Sequence, residues 1–325
     1  MTAPIHTSED DAGLSNGSTS VGDIPSPADP RSDVEDLPSA PARSFVSNVA
    51  HRFAKDRVAM VAAIILALLV LTALCAPLIA PYDPNEVDPV NSFQPPSAHH
   101  LFGTDDIGRD YLSRMIYGAR LSLGSALIAV MLGFAIGVVP GLVAGYRRGL
   151  LDMIASRIVD AMMCIPGLIL AITLVAVLGP GIYQLSVAVG IAFAPRFYRV
   201  ARGAALSVGA ETYIKSAHAA GARSSRILVR HVVPNALPPI IVQGSLMFGF
   251  GVLAEAGLSF LGMGAQPPSA SWGSMLQRGT RFLLQAQYLT IIPGLMIMST
   301  ILAANTVGDG LQSVLGVRRT KEQPK

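Results

Sequence analysis

The residues of this chain best equipped for chemistry fall in four places. Glu255, in "GVLAEAGLSF", is a carboxyl group inside a long apolar block. At membrane depth such a group serves either a proton or ion pathway or a hydrogen bond between helices. Asp160 and Asp309 sit near the ends of apolar blocks, so one intramembrane carboxylate stands alone and the structural role is favoured. Asp105, Asp106 and Asp110 follow the pair His99–His100, but their spacing lacks the ligand order of a calcium loop. A solvated loop fixed by the "GTD" and "GRD" turns is expected there, without a metal. Cys75 and Cys164 lie far apart inside apolar blocks and have no C-x-x-C partner, so they read as small packing residues. The fourth place is "YIKSAHAAGARSSRILVRHVVPNALPP", Tyr213–Pro239. It carries Lys215, Arg223, Arg226 and Arg230, two histidines and no acid.

The motifs of covalent chemistry are missing. The sequence has no G-x-x-x-x-G-K-[ST], so no nucleotide is held through a P-loop, and no H-E-x-x-H or G-x-S-x-G. A non-catalytic chain that binds no cofactor or metal of its own is expected. Energy for any pumping then comes from an ion gradient or from a partner.

The elements that position these groups are membrane helices. Of 325 residues, 51% are hydrophobic and 14% charged, against about a quarter charged in soluble domains. Mean hydropathy is +0.50. A helix needs about 20 apolar residues to cross a hydrocarbon core about 30 Å thick. Six such spans are predicted, near residues 58–80, 119–145, 158–178, 185–205, 237–263 and 289–307, which makes an all-α integral membrane protein in contact with lipid. The net charge of +3 gives no indication of a nucleic-acid partner.

Outside the spans, residues 1–44 hold Glu9, Asp10, Asp11, Asp23, Asp29, Asp33, Glu35 and Asp36 against Arg31 and Arg43. That composition predicts a disordered acidic tail, and it lacks the basic start and apolar run of a signal peptide. Residues 45–57 space Phe45, Val49 and Phe53 four apart beside Arg52, Lys55 and Arg57, the pattern of an amphipathic helix at the membrane surface. A polar loop covers 81–117, a five-helix core 118–315 and a basic tail 316–325.

Charge sets the orientation. Five Lys and Arg precede the first span, three separate the second from the third, and four close the chain. Seven more (Arg196, Arg199, Arg202, Lys215, Arg223, Arg226, Arg230) lie in or flank the fourth-to-fifth connection. These nineteen of the 24 place both termini and the loop 206–236 in the cytoplasm by the positive-inside rule, leaving Arg109, Arg114, Arg120, Arg278 and Arg281 outside. Within the loop, Ser207 is read as the cap of a helix over 212–220, Gly221 as its interruption and Pro234 as the end of a second helix. In the second span Ser125, Ala129, Gly133, Gly137, Gly141 and Gly145 recur every four residues, a spacing that lets two helix backbones approach closely.

The Tyr213–Pro239 segment resembles the cytoplasmic loop signature of ABC importer permeases: E-A-A, three residues, G, nine residues, I-x-L-P. Lys215, Ser216 and Ala217 occupy the E-A-A positions and Gly221 the glycine, with Ala222 behind it. His231 takes the Ile place, and Val233–Pro234 the L-P. Four further stretches are similar to the C-type subunit of dipeptide, oligopeptide and nickel permeases: "HLFGTDDIGRDYLSRMIYGARLSL", "GLLDMIASRIVDAMMCIPGLILAI", "LSFLGMGAQPPSASWGSML" and "NTVGDGLQSVL". The resemblance spans about Phe45 to Leu315 and omits the acidic tail. It implies the type I importer permease fold in a bacterial cell membrane. It also implies a homologous B-type permease, two cytoplasmic ATPase domains that bind ATP and Mg, an extracytoplasmic binding protein and a peptide substrate. The loop would act as a coupling helix in a groove of the ATPase, with Gly221 allowing the bend and Arg223, Arg226 and Arg230 meeting acidic groups there. Lys215 departs from the family's usual glutamate and cannot make the same salt bridge. Nickel complexes and glutathione are carried by the same wider family. The main rival is an ion-coupled secondary transporter, opposed by the shortage of intramembrane acids; an intramembrane hydrolase lacks a nucleophile–base pair.

Overall fold

A computed structural model describes residues 53–316, and their regular structure is helical apart from one isolated bridge between Thr104 and Asp110. The acidic tail, residues 45–52 of the expected surface helix, and residues 317–325 lie outside the described residues. Asp56 starts helix α1, Arg57–Leu74: its carboxylate accepts from the Val58 and Ala59 amides at 3.1 Å, satisfying two donors that a helix start leaves free. The chain breaks at Cys75 before the short α2, Ala76–Ile79, so the first apolar block is one helix and a turn. Val58, Val61, Leu68 and Leu74 remain exposed around α1, as on a helix whose outer face meets lipid.

Helix α3, Tyr111–Arg147, starts eight residues ahead of the predicted span because Asp110 caps it, accepting from the Ser113 amide at 2.8 Å. Its 37 residues extend about 55 Å at 1.5 Å per residue, well beyond the hydrocarbon core. After a turn with positive φ at Arg148 and Gly149 come α4, Leu150–Met163, and α5, Gly167–Leu178. These two meet at 90°, so the predicted third span is not one straight helix. Pro166 is the reason: it has no amide to donate and drives Ile165 out of the helical region. Cys164 sits exposed at this corner and is not the packing residue expected.

Helix α6, Ile182–Gly209, extends past both ends of the predicted fourth span. Arg196, Arg199 and Arg202, which the charge count grouped with residues in or flanking the fourth-to-fifth connection, are interior residues of this helix, as the predicted span 185–205 also has them. Ser207 also lies inside it and caps nothing. The expected loop begins later, as α7, Thr212–Ala219, and α8, Ser224–Ile227. A π-helical turn, Leu228–Val232, leads into α9, Val233–Phe260. Pro234 therefore stands in the first turn of α9 and does not end a helix. The wider turn before it moves the preceding carbonyls away from the proline ring, so helix continues through it. Helix α10, Trp272–Thr280, and α11, Tyr288–Val314, complete the chain.

Helices α1, α3 and α11 and the continuous stretch Ser224–Phe260 are long and apolar enough to cross a membrane, and the bent α4–α5 pair makes a fifth if it counts as one span. Helix α6, at 28 residues, is long enough but carries the three arginines, so length and apolarity alone do not reach the predicted six.

The core is built on α3 and α6. A Cβ on Gly133 would lie 2.8 Å from the Phe193 Cβ, and one on Gly141 2.7 Å from the Tyr198 carbonyl oxygen. At Gly137 it would meet Phe197 Cβ at 2.8 Å and the Tyr198 nitrogen at 2.9 Å, and at Gly145 the Ala205 Cβ at 3.0 Å. The two backbones run against each other with no space for a methyl group. One apolar cluster continues from this seam through Phe197, Ile214, Ile227, Val232 and Ile240. A second surrounds the fully buried Trp272 with Tyr111, Met115, Met275 and Leu289.

Candidate functional site

The segment from Glu211 to Pro234 closes one end of the bundle. Helix α7 ends in a Schellman motif, a helix stop in which two amides fold back onto the last turn. Gly221 takes φ +80°, its amide donates to the His218 carbonyl at 3.0 Å, and the Ala222 amide donates to the Ala217 carbonyl at 3.1 Å. A side chain at Gly221 would meet no atom within 4 Å, so the glycine is required by its backbone angle and not by crowding. Ala217 and Ala222 pack on the core beneath the turn.

Apolar pegs fasten the helix pair to the bundle. Ile214, Ile227 and Val232 are buried, and Tyr146 at the end of α3 stacks on His218, with its hydroxyl 2.9 Å from Nε2. Asn235 donates to the His231 carbonyl at 2.7 Å. The opposite face is open: Lys215, Ser216, Arg223, Arg226 and Arg230 are exposed, and none of the four cations makes an ion pair among the described residues. The result is a short rigid helix pair, anchored by apolar contacts and presenting unneutralised positive charge. It can dock on an acidic surface and transmit a push to α6 and α9, which enter and leave it.

The other end of α3 departs from the solvated loop expected there. Asp105 is buried and accepts from the Ile107 and Arg109 amides at 3.0 Å and from Arg109 Nε at 2.7 Å. Arg114 lies 3.7 Å away and donates to the Pro84 carbonyl. His100 Nδ1 is 2.9 Å from Asp110. Asp106 takes two bonds from Arg278 of α10, at 2.7 and 2.8 Å, and this pairing pushes the guanidinium pKa above its ordinary value. The turns are there, but Asp105 and Asp106 are consumed by Arg109, Arg114 and Arg278, and Asp110 by His100 and the start of α3. No group of acids, histidines and cysteines able to hold a metal occurs among the described residues.

Glu255 is fully buried in α9. The Ser259 hydroxyl donates to it at 2.7 Å, the Ser122 and Ser271 hydroxyls stand alongside, and it makes no ion pair among the described residues. Those serines belong to α9, α3 and the start of α10, so the carboxyl sits at a three-helix junction and not in a file of acids. Arg196, which in the sequence stands out only as one of the positive charges in or flanking the fourth-to-fifth connection, is exposed in the middle of α6 with its guanidinium carbon 5.4 Å from the Phe250 ring centre.

Comparison with known proteins agrees with this architecture. Residues 137–321 match the family described as binding-protein-dependent transport system inner membrane component, and residues 44–96 match the N-terminal transmembrane domain of oligopeptide transport permease C. The dipeptide transport system permease protein DppC of Alkalihalophilus pseudofirmus is 42% identical over 261 residues, covering 80% of this chain and 86% of the relative. The glutathione transport system permease protein GsiD of Escherichia coli O1:K1 is 42% identical over 266 residues, covering 82% and 88%. A putative peptide transport system permease protein of Brucella abortus is 39% identical, covering 86% and 94%. Among solved structures, the inward-facing MetNI methionine ABC transporter aligns with a TM-score of 0.52 at 20% identity, over 63% of this chain and 96% of the other, which speaks to fold alone. The chain thus belongs to the binding-protein-dependent transport system inner membrane components, as an ABC importer permease of the OppC/DppC-like branch.

Proposed function

We propose that this chain forms half of the translocation pathway of an ATP-driven peptide importer in a bacterial cell membrane. Its partners are a homologous permease, two cytoplasmic ATPase domains and an extracytoplasmic binding protein. The Glu211–Pro234 end lies in the cytoplasm with both termini, as the positive-inside rule requires, and six segments cross the bilayer when α6 and the bent α4–α5 pair are each counted. ATP and Mg bind the partner ATPase, and this chain does no covalent chemistry.

The observation that carries this reading is the Schellman-capped helix pair around Gly221, rigid, anchored and cationic on its open face. Closure of the ATPase around ATP displaces that pair, and the α3–α6 seam transmits the displacement because packed backbones do not compress. Lys215 faces the ATPase as one more positive charge, so the complementary groove carries an acid at that contact. Peptides fit the names of the relatives on both counts, since glutathione is itself a tripeptide. The complete importer, reconstituted in vesicles with the binding protein outside, is expected to accumulate peptide when ATP is supplied to the ATPase side and no ion gradient exists. Uptake driven by a proton gradient without ATP contradicts the proposal.

A further inference from the structure

The three arginines of α6 stand three residues apart, and each step turns about 60° around the helix. Two of them face α4: Arg199 Nη2 is 2.9 Å from Asp160, and Arg202 Nη2 is 2.8 Å from Asp152. Arg196 has turned away from α4 and has no acid near it among the described residues. It lies about 20 Å from either end of α6, and a charge inside a membrane-spanning helix is costly unless it is compensated. Charges persist there when they serve a pathway.

Beside it is a cavity of about 430 Å³, within the range of small-ligand sites. Its walls come from the α4–α5 corner, α6 and α9, with Met162, Met163, Phe193, Phe250 and Leu253 among them. Arg196 is the only ionisable residue in the lining, and no other polar side chain joins it. The guanidinium stands over the Phe250 ring, which holds it at the mouth without neutralising it. Such a site selects one kind of ligand: a single anionic group carried on an apolar frame. A planar guanidinium pairs with a carboxylate through two parallel hydrogen bonds, and weak local hydration strengthens the pairing.

Building on the peptide-importer reading, we infer that Arg196 and this cavity form a transit subsite that takes the terminal carboxylate of the transported peptide and an adjoining apolar side chain. The Pro166 corner, by ending α4 and turning α5 aside, opens the wall that admits it.

The test uses the complete importer in proteoliposomes, with leucyl-leucine at a concentration that saturates the binding protein. Arg196→Met is expected to lower uptake by about tenfold or more while stimulation of ATPase by the loaded binding protein stays within about twofold; Arg196→Lys, which keeps the charge but loses the paired bonds, is expected to fall between Arg196→Met and the unaltered importer. A merely structural arginine would move uptake and ATPase stimulation together, and that result overturns the inference, as does undiminished uptake through Arg196→Met. A complex that no longer assembles assigns the arginine to a subunit interface and also overturns it. Leu253→Trp, which narrows the mouth and leaves the arginine in place, is expected to lower uptake too; normal uptake through that variant overturns the subsite. A wild-type complex that imports no dipeptide defeats the peptide reading itself, a different outcome from a working importer indifferent to Arg196.

Discussion

Replacing Gly137 by alanine adds one methyl group where α3 touches α6. The new Cβ would lie 2.8 Å from Phe197 Cβ and 2.9 Å from the Tyr198 nitrogen, and closer still to the Ala194 carbonyl oxygen. Ordinary carbon contacts begin near 3.5 Å, so the helices must part by more than half an ångström at that level. Two of the three obstructing atoms are backbone, so no rotamer change relieves the contact. Parting the seam loosens the flanking contacts at Gly133 and Gly141 as well. Overpacking of this kind costs about 1–3 kcal/mol, and the backbone obstruction puts Gly137 at the upper end. The helix-propensity gain of alanine over glycine, about 1 kcal/mol, offsets only part of it. Gly203, in α6, is the control: a Cβ there meets nothing within 4 Å, so Gly203→Ala is neutral or stabilising. The sole tryptophan, Trp272, is fully buried and reports unfolding by its fluorescence. In nanodiscs Gly137→Ala is expected to lower the apparent Tm by about 4–8 °C relative to Gly203→Ala. Equal melting of the two variants would refute the seam as the packing that sets α3 against α6.

Gly221→Val places a β-branched residue at φ +80°, a strain of about 1–3 kcal/mol that opens the Schellman turn. Membrane insertion is expected to be normal while peptide-stimulated ATPase and uptake separate, which vesicle transport assays measure; unchanged coupling speaks against the docking role. Asp105→Ala removes the acceptor shared by Arg109 and Arg114, leaving buried cations unpaired at a cost of about 3–5 kcal/mol. It is expected to cut the yield of folded permease, read by size-exclusion chromatography, far more than Asp83→Ala on the exposed part of the same loop.

The helical, membrane-embedded character of the chain is written in long apolar blocks, and the small-residue spacing of α3 is visible because the helix period is local. What that face meets is not local: α6 lies dozens of residues away. The predicted span 185–205 already contains Arg196, Arg199 and Arg202, but nothing local shows that Asp152 and Asp160 on α4 pair with two of them. The outer acids are a similar case, since Asp106 finds Arg278 across 172 positions. Gly221 announced a turn from sequence because positive φ favours glycine. Pro234 gave the opposite lesson: a proline predicts a helix end unless the preceding turn widens, and the π-helical Leu228–Val232 is a backbone feature that no side-chain pattern displays.

The central claim is that the Gly221 helix pair contacts the ATPase. With Cys75 and Cys164 replaced by serine, a cysteine at the exposed Ser225 can be oxidatively cross-linked in the intact importer. A cysteine replacing Leu284, 98% exposed near the opposite end, serves as the comparison. The expected result is a cross-link from Ser225→Cys to the ATPase subunit and none from Leu284→Cys. A complex in which Leu284→Cys captures the ATPase and Ser225→Cys does not would contradict the account.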